Sequence, residues 1–170
     1  MSFIENAKKR YSVRNFQSVK VEEEKLIRIL EAARIAPTGA NTQAFKLIVA
    51  CREEGLEKVK KAANIYGAPL AIVVCGDHEK TWKRPFDGKN LVDIDTSIVT
   101  DHMMLQATEL GLGSVWICYF KPNVIKAEFN LPDNLEPVSI LAVGYANGEP
   151  ASPDRHDKAR RPLDELVCYE

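Results

Sequence analysis

Apolar residues recur along the chain in two kinds of pattern, one with the spacing of a helix and one typical of a buried strand. Between residues 21 and 36, leucine, isoleucine and alanine return every three or four positions. Three glutamates occupy the first turn of this segment, where the helix dipole favours acidic side chains. Residues 69–75 instead form a nearly continuous β-branched and apolar run, which is typical of a buried strand. The chain therefore contains both helices and strands.

The same patterns predict five helices and four strands in alternation. The predicted helices are 2–9, 21–36, 53–63, 93–110 and 121–129, and the predicted strands are 45–50, 69–75, 114–119 and 138–145. Residues 77–79 are predicted to form a solvated turn, and residues 82–90, which include Pro85 and Gly88, a loop. From about residue 147 the chain is rich in proline and charge, which predicts an extended arm.

The order of these elements predicts the fold class. Helices interleaved with strands favour an α/β or α+β sandwich built on one mixed sheet. The helix at 93–110 is apolar over a wide arc, so we expect it to run through the centre of the fold or of a dimer. At 170 residues the chain fits a single domain, spanning 1–170.

Composition and charge exclude several classes of protein. Hydrophobic residues make up 45% of the chain and charged residues 28%, as in a soluble globular protein. A net charge of −1 gives no indication of a nucleic-acid partner. The longest apolar stretch, 68–75, is too short for a membrane helix, and the first ten residues lack the apolar run of a signal peptide. We therefore expect a cytoplasmic protein that binds neither membrane nor nucleic acid.

Scattered cysteines and missing motifs narrow the chemistry further. The four cysteines, at positions 51, 75, 118 and 168, lie far apart, with no CxxC pair and no histidine at ligand spacing. They are interpreted as reduced thiols, mostly core fillers, and no metal site is expected. The chain also lacks a GxGxxG fingerprint, a Walker loop and a GxSxG elbow, which disfavours the common nucleotide loops and serine hydrolases.

Two short cationic segments could bind a phosphate group. Arg10, Ser12 and Arg14 combine two guanidinium forks with a hydroxyl, just after the first predicted helix. Such forks form bidentate hydrogen bonds with a dianion. Lys158 and Arg160 belong to a second cationic segment, in the arm. An exposed basic helix end and a solvated charge run are the simpler explanations of these two segments.

A third segment, residues 37–43, has the composition of a ligand-binding loop. Gly39 would let the backbone approach a flat ligand closely. Asn41 and Gln43 each offer a donor and an acceptor, which suits the polar edge of a pyrimidine-like ring. A helix stop followed by a turn explains the same residues.

Taken in order, four segments resemble the FMN-dependent nitroreductase family. The segments are Arg10-x-Ser12-x-Arg14-x-Phe16, residues 36–43 (Ala-Pro-Thr-Gly-Ala-Asn-Thr-Gln), residues 109–117 (Glu-Leu-Gly-Leu-Gly-Ser-Val-Trp-Ile) and residues 158–163 (Lys-Ala-Arg-Arg-Pro-Leu). The resemblance extends over about residues 3–168. It implies a three-layer α/β/α sandwich with a mixed, mainly antiparallel central sheet and a long central helix.

The resemblance also implies an FMN site shared between the two chains of a homodimer. The residues that would hold the phosphate and the flavin edge are Arg10, Tyr11, Ser12, Arg14, Lys158 and Arg160. The residues that would cover the ring from the partner chain are Pro37, Thr38, Gly39 and Asn41. The residues that would lie under the flavin, near its N5 atom, are Ile117, Cys118 and Tyr119.

The reaction implied by the resemblance is a two-step electron transfer. Hydride would pass from NADH or NADPH to flavin N5, and electrons would then pass to a nitroaromatic, quinone or flavin acceptor in a ping-pong mechanism. No side chain is expected to be catalytic, and Arg14 is the candidate for a positive charge near flavin N1. The alternatives are another flavin reaction, such as dehalogenation, and a non-enzymatic FMN-binding sensor or carrier.

The sequence departs from the family pattern at two positions and in length. Ala44 stands where the family usually has proline, and Tyr119 where small residues are common. The chain is also short for the family, so we expect a more open acceptor site.

Overall fold

The computed structural model describes residues 2–170, which form six α-helices and four β-strands. The helices are α1 (Phe3–Lys9), α2 (Glu23–Ile35), α3 (Glu53–Lys60), α4 (Val92–Glu109), α5 (Pro122–Glu128) and α6 (Arg155–Ala159). The strands are β1 (Phe45–Ala50), β2 (Leu70–Asp77), β3 (Gly113–Ile117) and β4 (Leu135–Gly144). Within residues 2–170, no helix is both long enough and apolar enough to cross a membrane.

Most predicted boundaries are correct to within a few residues, and β1 matches its prediction at both ends. The turn predicted at residues 77–79 is wrong in part, because β2 continues to Asp77. Asp77 is buried, and its Oδ1 atom accepts hydrogen bonds from Asn134 at 3.0 Å and from the Glu79 amide at 3.1 Å. β3 ends at Ile117, before Tyr119, and the predicted extended arm contains the short helix α6.

All four strands belong to one sheet with the order β1-β2-β4-β3, in which every neighbouring pair is antiparallel. Among the described residues 2–170 there is one parallel pairing, an isolated bridge between Ser12 and Ser114 of the edge strand β3. The prediction of a mainly antiparallel central sheet is therefore confirmed, and the parallel pairing lies outside the ladders of the four strands, in this isolated bridge.

Helices cover both faces of the sheet. Along β2 and β4, alternate residues point to opposite faces, as the pleat of a strand requires. On one face, Ile72 and Leu141 pack in a fully buried cluster that includes residues of α2 and α4. On the other face, Val73 and Ile140 pack in a cluster that includes residues of α3 and α5. The predicted three-layer α/β/α architecture is confirmed.

The start of α4 is seated closely on β2. Gly76 of β2 has no side chain, and a Cβ atom at this position would overlap Cγ1 of Val92 and lie 3.5 Å from Cγ2 of Thr96. Val92 and Thr96 are both buried on the first turns of α4. The absence of a side chain at residue 76 therefore fixes how closely α4 approaches the sheet.

We expect Gly76→Val to destabilise the protein by about 1–3 kcal/mol, because three added carbon atoms must displace the first turn of α4. Urea unfolding followed by circular dichroism measures the change in the free energy of unfolding. Lys46→Val, which adds a β-branched side chain at an exposed position of the neighbouring strand β1, is the control and should change stability by less than about 0.5 kcal/mol. Equal stability of the two variants would contradict the close packing.

Candidate functional site

Arg10 lies where the C-terminal end of α1 meets the arm. The guanidinium group of Arg155, on α6, donates hydrogen bonds to the carbonyl oxygen of Arg10 and, at 3.2 Å, to that of Lys8. His156 makes a further contact of 3.2 Å with the Lys8 carbonyl through its Nε2 atom. These contacts bring the arm and the first cationic segment together, although about 145 residues separate them along the chain.

Positive charge accumulates around Arg10 without a matching number of carboxylates. Burial lowers the pKa of the Arg10 guanidinium, and repulsion from Arg155 and Arg160 lowers it further. Asp101 of α4 is the one carboxylate that acts in the opposite direction. Arg10, with two arginines and one carboxylate acting on it, belongs to a net positive site, and such a site attracts an anion.

The predicted phosphate-binding cations are not paired with acidic side chains. Within residues 2–170, nine ion pairs with N–O distances of 4.0 Å or less are present, and none involves Arg10, Arg14, Lys158 or Arg160. Lys25 and Arg34 of α2 and Lys58 and Lys60 of α3, in contrast, pair with glutamates three or four residues earlier in the chain. The predicted cations are therefore available to a ligand.

A cavity of about 420 Å³ lies next to this arginine cluster. It is bounded by residues of α1, α4 and the arm, namely Phe3, Ile4, Ala7, Lys8, Arg10, Asp101, Met104, Leu105, His156 and Arg160. Most of the α1 and α4 residues are apolar, whereas the arm supplies cations. The structure thus brings together two of the predicted phosphate-binding residues, Arg10 and Arg160.

Ser12 and Arg14 follow Arg10 along the edge of the sheet. The amide of Val13 donates to the carbonyl oxygen of Ser114 at 3.0 Å, which attaches this segment to β3. Val13 is buried beside Gly113, whereas Ser12 and Arg14 are exposed. The alternation of an extended backbone therefore presents the predicted polar side chains on the surface, and keeps Tyr11 partly buried.

The predicted ligand-binding loop, residues 37–43, contacts the N-terminal end of α4. The Gly39 amide donates to Oδ1 of Asp95 at 2.9 Å. A Cβ atom on Gly39 would lie 2.7 Å from Cδ1 of Leu91 and 3.4 Å from Cβ of Trp82, so a larger residue here would displace the Leu91 side chain. Ala40, Asn41 and Gln43 all have positive φ angles, which is unusual for residues other than glycine. The loop therefore has a specific, constrained conformation.

The third predicted group lies at the C-terminal end of β3. Ile117 is buried, Cys118 is exposed, and the side chain of Tyr119 is 97% exposed. A cavity of about 310 Å³ adjoins this end of the strand. The residues around the cavity are Ala62, Ala63, Asn64, Tyr66, Ile117, Tyr119, Phe120 and Lys121.

Within one chain, the loop and the arginine cluster do not meet. The loop is bound to Asp95 and the cluster lies beside Asp101, six residues further along α4. Six residues of an α-helix span about 9 Å and turn about 600°, which is about 120° short of two full turns. The two groups therefore lie on different sides of α4.

Several site residues were missed from the sequence. Arg155 and Asp101 belong to the arginine cluster, and Asp95 holds the loop, but none stands in a recognised motif. The prediction that the cysteines are mostly core fillers is also wrong, because only Cys75 is buried. Burial raises the pKa of the Cys75 thiol to about 12.

The fold and these segments define a known family. The family model described as “Nitroreductase family” matches residues 7–65 and 57–145 of the chain. The chain therefore belongs to the nitroreductase family, as the four sequence segments indicate.

Individual relatives match the chain over most of their length. The crystal structure of a nitroreductase family protein from Clostridium difficile 630 has 66% sequence identity and a TM-score of 0.97, and the match covers 100% of this chain and 99% of that one. An FMN-dependent nitroreductase from another Clostridium difficile strain has 30% identity and a TM-score of 0.80, with 97% of each chain covered. A relative from Methanothermobacter thermautotrophicus, named “Putative NADH dehydrogenase/NAD(P)H nitroreductase”, is 31% identical over 168 residues, which cover 94% of this chain and 85% of the relative.

Proposed function

We propose that the protein is an FMN-dependent NAD(P)H oxidoreductase that works as a homodimer with shared flavin sites. The observation that carries the proposal is the arginine cluster, in which Arg155 binds the Arg10 carbonyl and Arg10 and Arg160 border one cavity, with Asp101 as the one carboxylate that offsets the repulsion on Arg10. A phosphate dianion is the ligand that such a cluster suits, since guanidinium groups bind phosphate with paired hydrogen bonds. A relative named as an FMN-dependent nitroreductase supports the choice of FMN.

In this proposal the phosphate and the flavin edge are bound by Arg10, Tyr11, Ser12, Arg14, Lys158 and Arg160. Arg10 and Arg160 already border one cavity, and the exposed side chains of Ser12 and Arg14 continue from Arg10 along the edge of the sheet. Ile117, Cys118 and Tyr119, at the end of the same edge strand, would lie under the ring.

The loop would reach the flavin of the other chain. The loop residues lie on a different side of α4 from the arginine cluster; they are Pro37, Thr38, Gly39 and Asn41. A second copy of the chain would therefore supply the loop that contacts the flavin bound at the cluster. The apolar side chains left exposed on α1 and the arm support a dimer, since a surface of this kind is commonly covered by a partner. They are Phe3, Ile4, Leu163, Leu166 and Tyr169.

When bound, FMN supplies the redox chemistry, accepting hydride at N5 and passing electrons to an acceptor. The protein's own residues bind and orient the cofactor. The cationic side chains compensate the phosphate, and Arg14 provides positive charge near the flavin edge. Exposed Tyr119 borders the side from which the nicotinamide and the acceptor would enter, and the acceptor would be a small planar molecule such as a nitroaromatic, quinone or flavin.

The first experiment is an absorbance spectrum of the purified protein, followed by anaerobic addition of NADH and of NADPH to separate samples. We expect flavin absorption that bleaches on addition and returns with a nitroaromatic or quinone. Flavin absorption that persists would favour a carrier or sensor. A protein that binds no FMN, even in excess, would refute the proposal.

Alkylation of the cysteines tests the flavin position without measuring activity. In the folded protein without FMN we expect Cys51, Cys118 and Cys168 to react, and Cys75 to stay unmodified because it is buried and its pKa is raised to about 12. Added FMN should slow the reaction of Cys118, whereas Cys51 is the control and should be unaffected. Mass spectrometry measures both rates, and equal labelling of Cys118 with and without bound FMN would contradict its position under the ring.

A further inference from the structure

Asp95 is a buried carboxylate with an incomplete set of partners. It lies in the first turn of α4, and only 1% of its surface is exposed. Its Oδ1 atom accepts the Gly39 amide at 2.9 Å. Its Oδ2 atom is buried and has no hydrogen-bond partner among residues 2–170. Burial of a charged group with so few partners is costly, so its retention calls for a physical reason.

Helix capping does not provide that reason. The N-terminal cap of α4 is Leu91, which makes no side-chain hydrogen bond, and the Val92 amide is bound instead by Asn90. Asp95 stands four residues after the cap and directs its bound oxygen out of the helix, toward the loop. The positive end of the helix dipole lowers the cost of the buried charge, but Asp93, exposed in the same turn, would serve the dipole equally well.

The backbone conformation of the loop, in contrast, requires stabilising contacts. Ala40, Asn41 and Gln43 adopt φ angles of 48°, 55° and 50°. A left-handed conformation is unfavourable for residues other than glycine, so it persists only where neighbouring groups fix it. Two side-chain acceptors do so, Asp95 at the Gly39 amide and Thr38 Oγ1 at the Gln43 amide, the latter at 3.0 Å.

We infer that Asp95 is a positioning residue that holds loop 37–43 in its left-handed conformation and thereby sets how tightly this loop covers the flavin. The statement that the loop covers the flavin rests on the proposed function, whereas the statement that Asp95 holds the loop does not. A carboxylate suits the task, because a hydrogen bond to a charged acceptor is about twice as strong as a neutral one. The bond also links the loop to α4, which Gly76 seats against the sheet.

The test begins with the loop itself. Hydrogen exchange of the amides of residues 38–43, followed by mass spectrometry on the protein without flavin, should accelerate by roughly tenfold in Asp95→Ala, since the hydrogen bond that holds the loop is lost. Asp93→Ala, which removes an exposed acid from the same helical turn, is the matched control and should leave this exchange unchanged. Where the alanine variant does not fold, Asp95→Leu, similar in volume but without an acceptor, takes its place. Unchanged exchange in the loop would overturn the inference.

Two further variants separate positioning from general stability. Asp95→Asn keeps an acceptor oxygen and should retain FMN affinity within about threefold, whereas Asp95→Ala should lose roughly tenfold. Adding Ala40→Gly to Asp95→Ala should recover much of that loss, because glycine adopts a positive φ without strain. Failure of Ala40→Gly to restore affinity, with loss of affinity in Asp93→Ala as well, would show a general effect and overturn the inference. If the unmodified protein binds no FMN, the proposed function fails, and the exchange measurement alone decides whether Asp95 holds the loop.

Discussion

The double variant Arg10→Ala/Arg14→Ala should purify colourless and bind added FMN at least a hundredfold more weakly than the unmodified protein. A hydrogen bond to a charged group contributes about 1.5–3 kcal/mol, so removal of two guanidinium groups should cost about 3–6 kcal/mol of binding free energy. This loss corresponds to a factor of roughly 10²–10⁴ in Kd. Flavin fluorescence titration measures the affinity, and the absorbance spectrum gives the occupancy after purification.

Arg28→Ala/Arg34→Ala is the control for this variant. These two exposed arginines of α2 lie within ion-pair distance of Glu109 and Glu31, so the control removes the same net charge away from the candidate site. It should remain yellow. Full flavin occupancy in Arg10→Ala/Arg14→Ala would refute the phosphate assignment, and equal loss in both variants would indicate a long-range effect of net charge.

Deletion of residues 154–170 should yield a folded monomer that does not retain FMN. The two hydrophobic clusters contain no residue beyond Ala146, so the sheet and its helices do not depend on the arm. The deletion removes Lys158, Arg160 and the exposed apolar side chains of the arm, which are the groups proposed to bind phosphate and the partner. Circular dichroism tests folding, sedimentation gives the oligomeric state, and fluorescence titration gives flavin affinity.

The full-length variant Lys158→Ala/Arg160→Ala separates the charges of the arm from its apolar contacts. It should bind FMN more weakly, by roughly tenfold or more, and yet sediment as a dimer. A truncated protein that still sediments as a dimer with flavin would contradict the proposed role of the arm. A monomeric full-length protein that holds FMN would contradict the shared site.

Local sequence patterns predicted the elements well because each element carries its own signal. β1 is a short, mostly apolar run followed by the acidic first turn of α3, and its limits were predicted without error. Strand order carries no such local signal: β4 lies between β2 and β3, an arrangement that arises from packing between distant segments. Asp77 illustrates the same limit, since an aspartate after an apolar run suggests a turn, and its burial in β2 depends on partners that include the distant Asn134.

Only those residues of the candidate site that stand in recognised motifs could be predicted from the sequence. Arg10 and Arg160 were selected by resemblance, and the structure brings both to one cavity. Arg155 was missed because nothing in the sequence distinguishes a guanidinium that binds a distant carbonyl from one in a solvated charge run. Asp93 and Asp95 look equivalent as acids in the first turn of a helix. Their different roles follow from a rotation of about 200° around the helix axis, which turns one to solvent and the other to Gly39.

The separation of the loop and the arginine cluster on different sides of α4 has a consequence for behaviour at low protein concentration. If one flavin needs groups from two chains, the cofactor and the second subunit are thermodynamically linked ligands, and each strengthens the binding of the other by the same factor. Dilution should then release FMN, and excess FMN should hold the subunits together at concentrations where they otherwise separate. A cell that makes little of this protein would obtain active enzyme in proportion to the square of its concentration in that range, so a modest change in expression would produce a larger change in activity.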